Sequence, residues 1–216
     1  MRVLIFLCLI LAACGRPLTP AEQSFATQIH GDTIDTSRIR AIHGAPVGVV
    51  TYQRPKRPRL ACRELILPEP ETELVTVSPA AVALHNKVFF ARDWYLENYM
   101  RDYPQQMDLL AAMLFAHEMT HVWQWQNRNW TGYTPWHAIG ESIREPDPYF
   151  SATGQSPDFL GFGYEQQAAT VEDYVCFAFA NPTHPRRAEL RALLEPVFPV
   201  DAFDAAIDRQ GLIPNE

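Results

Sequence analysis

The chain has 216 residues, of which 47 % are hydrophobic, 12 % aromatic and 20 % charged, with 18 Lys and Arg set against 25 Asp and Glu for a net charge of −7. That is enough for one compact domain with a sizeable core, and it excludes a fibre, a coiled coil and a multi-span membrane protein. The acidic balance speaks against nucleic acid as a partner.

Residues 1–13 read as an export signal. Arg2 supplies a positive start and Val3 to Leu11 form an apolar run too short to span a bilayer. The run ends Leu11-Ala12-Ala13-Cys14-Gly15, which resembles a bacterial lipobox. The resemblance implies acylation of Cys14, with residues 14–18 as a short tether and residues 19–216 as a single domain. Gly15 stands where inner-membrane retention usually calls for Asp, so the expected location is the outer membrane of a Gram-negative cell, facing the periplasm. With Cys8 removed and Cys14 acylated, Cys62 and Cys176 remain. An oxidising compartment permits a disulfide between them; two unpaired buried cysteines are the alternative.

Thr19-Pro20-Ala21-Glu22 predicts a capping box and a helix from Pro20 to His30, stopped by Gly31. Val47 to Tyr52, Cys62 to Leu67, Glu73 to Ser78 and Val82 to Phe90 are expected as strands of a small sheet. The basic run Arg54 to Arg59, interleaved with proline, reads as a solvated loop, with a grip on anionic lipid as the alternative. A long helix is predicted from an N-cap at Asp102 to about Gln126, apolar on most sides and therefore buried. Asn127 to Gly163 shows no clear period. Helical character returns from Tyr164 to about Ala180, and Pro185 to Ile213 predicts one or two short helices.

His117-Glu118-Met119-Thr120-His121 lies inside the long helix. Spacing of four sets both imidazoles on one face, one turn apart, where they can reach a single metal ion. Glu118 beside them can take a proton from the attacking water. Burying such groups in a core helix costs a few kcal/mol each, roughly, and a metal would offset that cost. A metzincin extension would place Gly at 124 and His at 127, but the chain has Gln124 and Asn127. The third ligand is expected at Glu165, on the first turn of Tyr164-Glu165-Gln166-Gln167-Ala168-Ala169, with His137, Glu141 and Asp147 as substitutes. Glu172, seven residues on, is placed to accept from a ligand histidine, and Asp173 is the other candidate. Tyr164, Tyr133 and Tyr149 are the candidate donors to a developing oxyanion. Trp123, Trp125, Trp130 and Trp136 crowd the motif and are read mainly as packing residues, with a substrate groove as the alternative.

The run HEMTHVWQWQ (His117 to Gln126), together with YEQQA (Tyr164 to Ala168), resembles gluzincin-type minimal zinc peptidases. It is also similar to small proteobacterial proteins, some of them labelled Vgr-related. The resemblance spans about residues 75–180. It implies an α+β, zincin-like fold: a small, mostly antiparallel sheet packed on a buried active-site helix, with further helices C-terminal. It also implies Zn2+ held by His117, His121 and Glu165, with Glu118 as general base. Many gluzincins carry a polar residue four positions after the ligand glutamate, where this chain has Ala169. Val82 to Phe90 is the expected edge strand for an extended peptide.

The resulting expectation is a lipid-anchored, zinc-dependent peptidase of the cell envelope acting on a peptide or protein substrate. A non-catalytic envelope protein that keeps the fold for interaction or assembly is the alternative.

Overall fold

The computed structural model describes residues 15–44, 46, 51–144, 147 and 158–208. The predicted signal and Cys14, most of the Val47–Tyr52 segment, Tyr149 and Ile213 lie outside the described residues. The fold is mixed α+β. In chain order the elements are β1 (Arg16–Pro17), α1 (Pro20–His30), β2 (Arg40–Ile42), β3 (Tyr52–Pro55), α2 (Cys62–Ile66), β4 (Leu74–Val77), β5 (Ala81–Leu84) and β6 (Lys87–Phe90). There follow α3 (Leu109–Gln126), α4 (Arg128–Thr131), α5 (Pro135–Arg144), α6 (Tyr164–Ala180), α7 (Pro185–Leu194) and α8 (Asp201–Asp208).

α1 begins and ends where its caps predict. Glu22 N–H donates to Thr19 Oγ1 at 3.3 Å, and Thr19 N–H donates to the Glu22 carboxylate at 2.8 Å. That carboxylate is fully buried because it also accepts from both guanidinium nitrogens of Arg16, at 2.7 and 2.8 Å, and from Tyr99 N–H at 2.9 Å. A local cap has thus become the point where the N-terminus, α1 and the segment before α3 are tied together. Phe25 and Ile29, on the inner face of α1, are fully buried. Each contributes about 1.5–3 kcal/mol.

Four strands form one sheet in the order β1-β2-β6-β5. β1/β2 and β6/β5 are antiparallel and β2/β6 is parallel, so the sheet is mostly antiparallel, as expected. Val82 to Phe90 is two strands rather than one. It folds as a hairpin in register Ala81↔Phe90 to Leu84↔Lys87, turning at His85-Asn86 with His85 at φ 58°. The outer arm β5 is the sheet edge; the inner arm is not. β3 and β4 pair separately, Tyr52↔Val77 to Pro55↔Leu74. β3 therefore continues past Tyr52 to a proline, which a two-stranded ribbon tolerates at its edge.

Cys62–Leu67 is a correction. It forms the short helix α2, because Asp173 accepts the Cys62 N–H at 2.5 Å and so satisfies a first-turn donor that a strand would have offered to a neighbour. A run this short carries no period that separates helix from strand. Cys176, on α6, is joined to Cys62 by a disulfide with Cα atoms 5.9 Å apart. A loop of this length, 114 residues, gives the cross-link about 5 kcal/mol in a chain-entropy account.

The long helix also starts later than predicted. Asp102 has φ 65°, outside the helical region, and the N-cap is Asp108, whose carboxylate accepts from Ala111 N–H at 3.1 Å. From Ala111 to Gln124 every residue of α3 is buried. α6 packs along it, with the fully buried Ala168 and Val171 allowing close approach. Two helices, α4 and α5, occupy the segment that showed no period. Thr134-Pro135 carries the same start signal as Thr19-Pro20: Thr134 Oγ1 accepts from His137 N–H at 3.1 Å, and proline takes the first helical position. α7 and α8 are the two short C-terminal helices expected.

Candidate metal centre

α3 presents His117 and His121 one turn apart, and the first turn of α6 crosses opposite them to bring in Glu165. The three donor atoms form a nearly equilateral triangle. His117 Nε2 lies 3.2 Å from His121 Nε2 and 3.3 Å from Glu165 Oε2, and His121 Nε2 lies 3.1 Å from the same oxygen. A tetrahedral ion with bonds of about 2.0–2.1 Å has ligand–ligand edges of about 3.3 Å. These three residues can therefore share one metal ion without rearrangement.

The far side of each imidazole is fixed. His117 Nδ1 faces Glu172 Oε2 at 3.1 Å, and His121 Nδ1 faces Gln124 Oε1 at 2.9 Å. Gln124 is oriented in turn, because its amide nitrogen donates to Tyr164 O and to Gln167 Oε1, both at 3.0 Å. With Nδ1–H donating on both rings, both Nε2 lone pairs point into the triangle. Two lone pairs and a carboxylate oxygen crowded together repel one another unless a metal ion or protons sit between them.

The electrostatics agree. Burial would lower the His117 pKa, but its hydrogen bonds to Glu165 and Glu172 outweigh that and hold it up at about 10. His121 is raised in the same way, against burial, by the charge of Glu165. Burial would raise Glu165, yet His121 and His117 hold it well below the usual carboxylate range. A site this negative retains protons when empty and exchanges them for a metal ion.

Glu118 is buried, and its Oε2 has no hydrogen-bond partner. Burial raises its pKa, with the two histidines pulling the other way. Among the described residues the other buried carboxylate oxygen without a partner is Glu64 Oε2, whose carboxylate is engaged by Arg57; Glu118 has no such ion pair, and its position beside the triangle points to a function. Glu118, the metal triangle and Tyr133 all line one open cleft of about 1030 Å³. Its walls also include β5, Trp94, Leu110 and Leu114.

The structure sorts the remaining candidates. Glu172 sits behind His117, as its spacing suggested. Asp173 does not; it caps α2 and lies 3.9 Å from Arg186, with burial raising its pKa to about 7. Of the tyrosines, Tyr133 is buried against the cleft, and burial, then the Glu165 and Glu118 charges, raise its pKa. Tyr164 instead donates to Thr131 O at 3.3 Å and packs edge-on against Tyr133. His137 is exposed and Asp147 pairs with Arg57, so neither joins the triangle. Glu141 accepts Tyr164 N–H at 2.7 Å, holding the helix start that carries Glu165. Trp123 is fully buried against Phe159 and Phe198, whereas Trp136 is 80 % exposed. None of the four tryptophans near the motif lines the cleft.

Three contributors are not evident as such in the sequence. Gln124 reads there as a departure from the metzincin pattern, although its position three residues after His121 on one helix face carries the signal. Glu141 reads as a substitute ligand rather than as a cap. Arg63 has no local signal: it reaches Glu172 at 3.4 Å only because the adjacent Cys62 is bonded to α6. Burial would raise the Glu172 pKa, but Arg63 and then His117 hold it down. Replacing Glu172 by Gln should weaken metal binding about 10- to 100-fold, measured by competition with a chromogenic chelator. Unchanged affinity would show that this contact does not set the ligand.

No family model matches the chain, and no curated protein matches it. Among solved structures, the chain is similar to the effector domain of Pseudomonas aeruginosa VgrG2b, with TM-score 0.52 and 23 % identity over 85 % of this chain and 83 % of that one. At that identity the likeness is one of fold. It is consistent with the resemblance to Vgr-related proteins.

Proposed function

We propose that the protein is a zinc-dependent peptidase of gluzincin type with a zincin-like fold, the central helix and edge strand β5 bounding the substrate cleft. The observation that carries this reading is the pairing of a complete His117-His121-Glu165 triangle with a Glu118 carboxylate beside it, one oxygen of which has no partner among the described residues, all four residues lining the same cleft. A structural metal site has no use for such a carboxylate, and a closed site would not face a cleft. The open cleft therefore weighs against the non-catalytic alternative.

Two imidazoles and a carboxylate suit zinc, which when bound would supply a Lewis acid for a substrate carbonyl and acidify the attacking water. The chain's own groups do the rest. Glu118, raised by burial, is the proton acceptor and returns the proton to the leaving amine. Tyr133, raised above its usual range and so kept protonated, is the candidate donor to the developing oxyanion. The unpaired backbone of β5 can align an extended peptide. Lipidation at Cys14 and a periplasm-facing outer-membrane location complete the proposal, supported by a disulfide of the kind that persists in oxidising compartments. Among the described residues no helix is long and apolar enough to cross a membrane.

The test is cleavage of a mixed peptide pool by zinc-supplemented protein, read by mass spectrometry. Activity should disappear with 1,10-phenanthroline and return with added zinc. A protein that binds zinc at one ion per chain yet cleaves nothing in the pool would favour the non-catalytic reading.

A further inference from the structure

One wall of the cleft is the arm from β3 through α2 to β4, which carries most of the chain's basic run. On β3 the side chains alternate, so that Tyr52 and Arg54 are half-buried on one face while Gln53 and Pro55 are exposed on the other. Most charged groups lining the cleft are engaged with one another. Arg57 is held by Glu64 and Asp147, Arg63 by Glu172, and Arg186 lies between Asp173 and Glu189. Of the carboxylates, Glu69 is paired with Lys56 at 2.5 Å, Glu165 belongs to the metal triangle and Glu118 stands beside that triangle.

Among the described residues two guanidinium groups lining the cleft make no ion pair, although the Glu69 pKa is lowered by Lys56 and then by nearby Arg59. Arg54 makes one hydrogen bond, Nη1 to Pro55 O at 3.0 Å, and Arg59 bonds only Leu65 O and Leu67 O, at 2.9 and 3.4 Å. Arg54 is the more constrained of the two. Burial lowers its pKa first and the like charge of Arg57 second, and the carboxylates of Asp147 and Glu64, already bound to Arg57, do not make up the difference. An arginine has five donors in a planar fork, and Arg54, which lines the cleft, uses one of them among the described residues. Arg57 in turn lies close enough to Glu172 to depress it, so His117, Glu172, Arg57 and Arg54 follow one another along the cleft.

We propose that Arg54, with Arg59 beside it, forms a subsite for a carboxylate of the bound peptide, so that the cleft selects acidic peptides. This rests on the peptidase reading for the identity of the occupant. The carboxylate comes either from an acidic side chain or from the peptide C-terminus. In both cases it supplies an ion-pair partner to Arg54, in a partly desolvated place where a bidentate pair gains most.

The probes are fluorescently labelled peptides of one length and core sequence, bound to the zinc-loaded full chain carrying Glu118→Ala and followed by anisotropy. One peptide is neutral (Gln, C-terminal amide), one carries Glu with the amide, one carries Gln with a free C-terminus, and one carries Lys with the amide. At least one carboxylate peptide should bind about ten-fold tighter than the neutral one, and the Lys peptide more weakly. Adding Arg54→Gln should bring the acidic-to-neutral ratio to within about two-fold, and Arg54→Glu should invert the preference toward Lys, a result that a misfolded variant cannot give. Arg92→Gln, an exposed arginine away from the cleft, should leave the ratio alone. Equal binding of neutral and acidic peptides, or a preference that survives Arg54→Gln, overturns the subsite. Cleavage by the wild-type protein is measured in parallel. Hydrolysis without charge preference removes the subsite and keeps the peptidase, whereas charge-selective binding without hydrolysis does the reverse.

Discussion

Glu118→Ala is expected to lower peptide turnover by about 10²–10⁴-fold while leaving metal content unchanged, since general acid–base catalysis is worth that much and Glu118 is not part of the ligand triangle. Two further outcomes follow from its surroundings. The carboxylate is buried with one oxygen unpartnered, so removing it relieves a desolvation penalty, and the variant should melt no lower than the wild type. The loss should also fall on kcat more than on KM, because a proton acceptor acts in the transition state rather than in binding. Turnover within a few-fold of wild type would remove Glu118 from the mechanism. A variant that lost its metal would instead make the carboxylate a structural part of the centre.

The second large effect is on metal retention. Glu165→Ala should weaken zinc binding by well over the 10- to 100-fold that loss of an outer partner costs, because it removes one corner of the triangle and the negative charge that draws a cation there. Elemental analysis of purified wild-type and variant protein reads this directly, without any substrate. About one zinc per wild-type chain and almost none in Glu165→Ala is the expected pair. Full retention in the variant would place the third ligand elsewhere. Glu141, close enough to hold the α6 start through Tyr164 N–H, would be the first residue to substitute next.

How much of this was legible beforehand depends on the range of the interactions concerned. The α1 boundaries followed from Thr19, Pro20, Glu22 and Gly31, all within one turn of the helix ends they fix. The His117/His121 pairing was equally local, since helical spacing alone puts the two rings together. Glu165 and Glu172 were found by an added step: they share one face of a second helix, and its small residues allowed that helix to approach the first.

Errors arose where two local signals competed. Asp102 and Asp108 both precede the apolar run, and backbone conformation at Asp102 excluded it. His85-Asn86 makes a tight turn without glycine, so the hairpin read as one strand. Cys62–Leu67 is too short to show a period, and a carboxylate 111 residues away decided its conformation. The Thr134-Pro135 helix start was legible and was passed over in a segment rich in Gly, Trp and Tyr.

The sequence by itself determined the parts that depend on neighbours along the chain: the helix caps, the buried character of α3, the two-histidine face and the glutamate beside it. Tertiary structure decided which distant groups meet them. It chose Glu172 over Asp173 behind His117, turned Tyr133 rather than Tyr164 to the cleft, and set Arg63 against Glu172 through the Cys62–Cys176 bond. It also drew the basic run, which reads as a solvated loop, into the wall of the cleft. The physical reason is common to all of these. Backbone geometry fixes the direction of a side chain relative to its own helix or strand, but which charge lies across from it depends on how elements far apart in sequence pack.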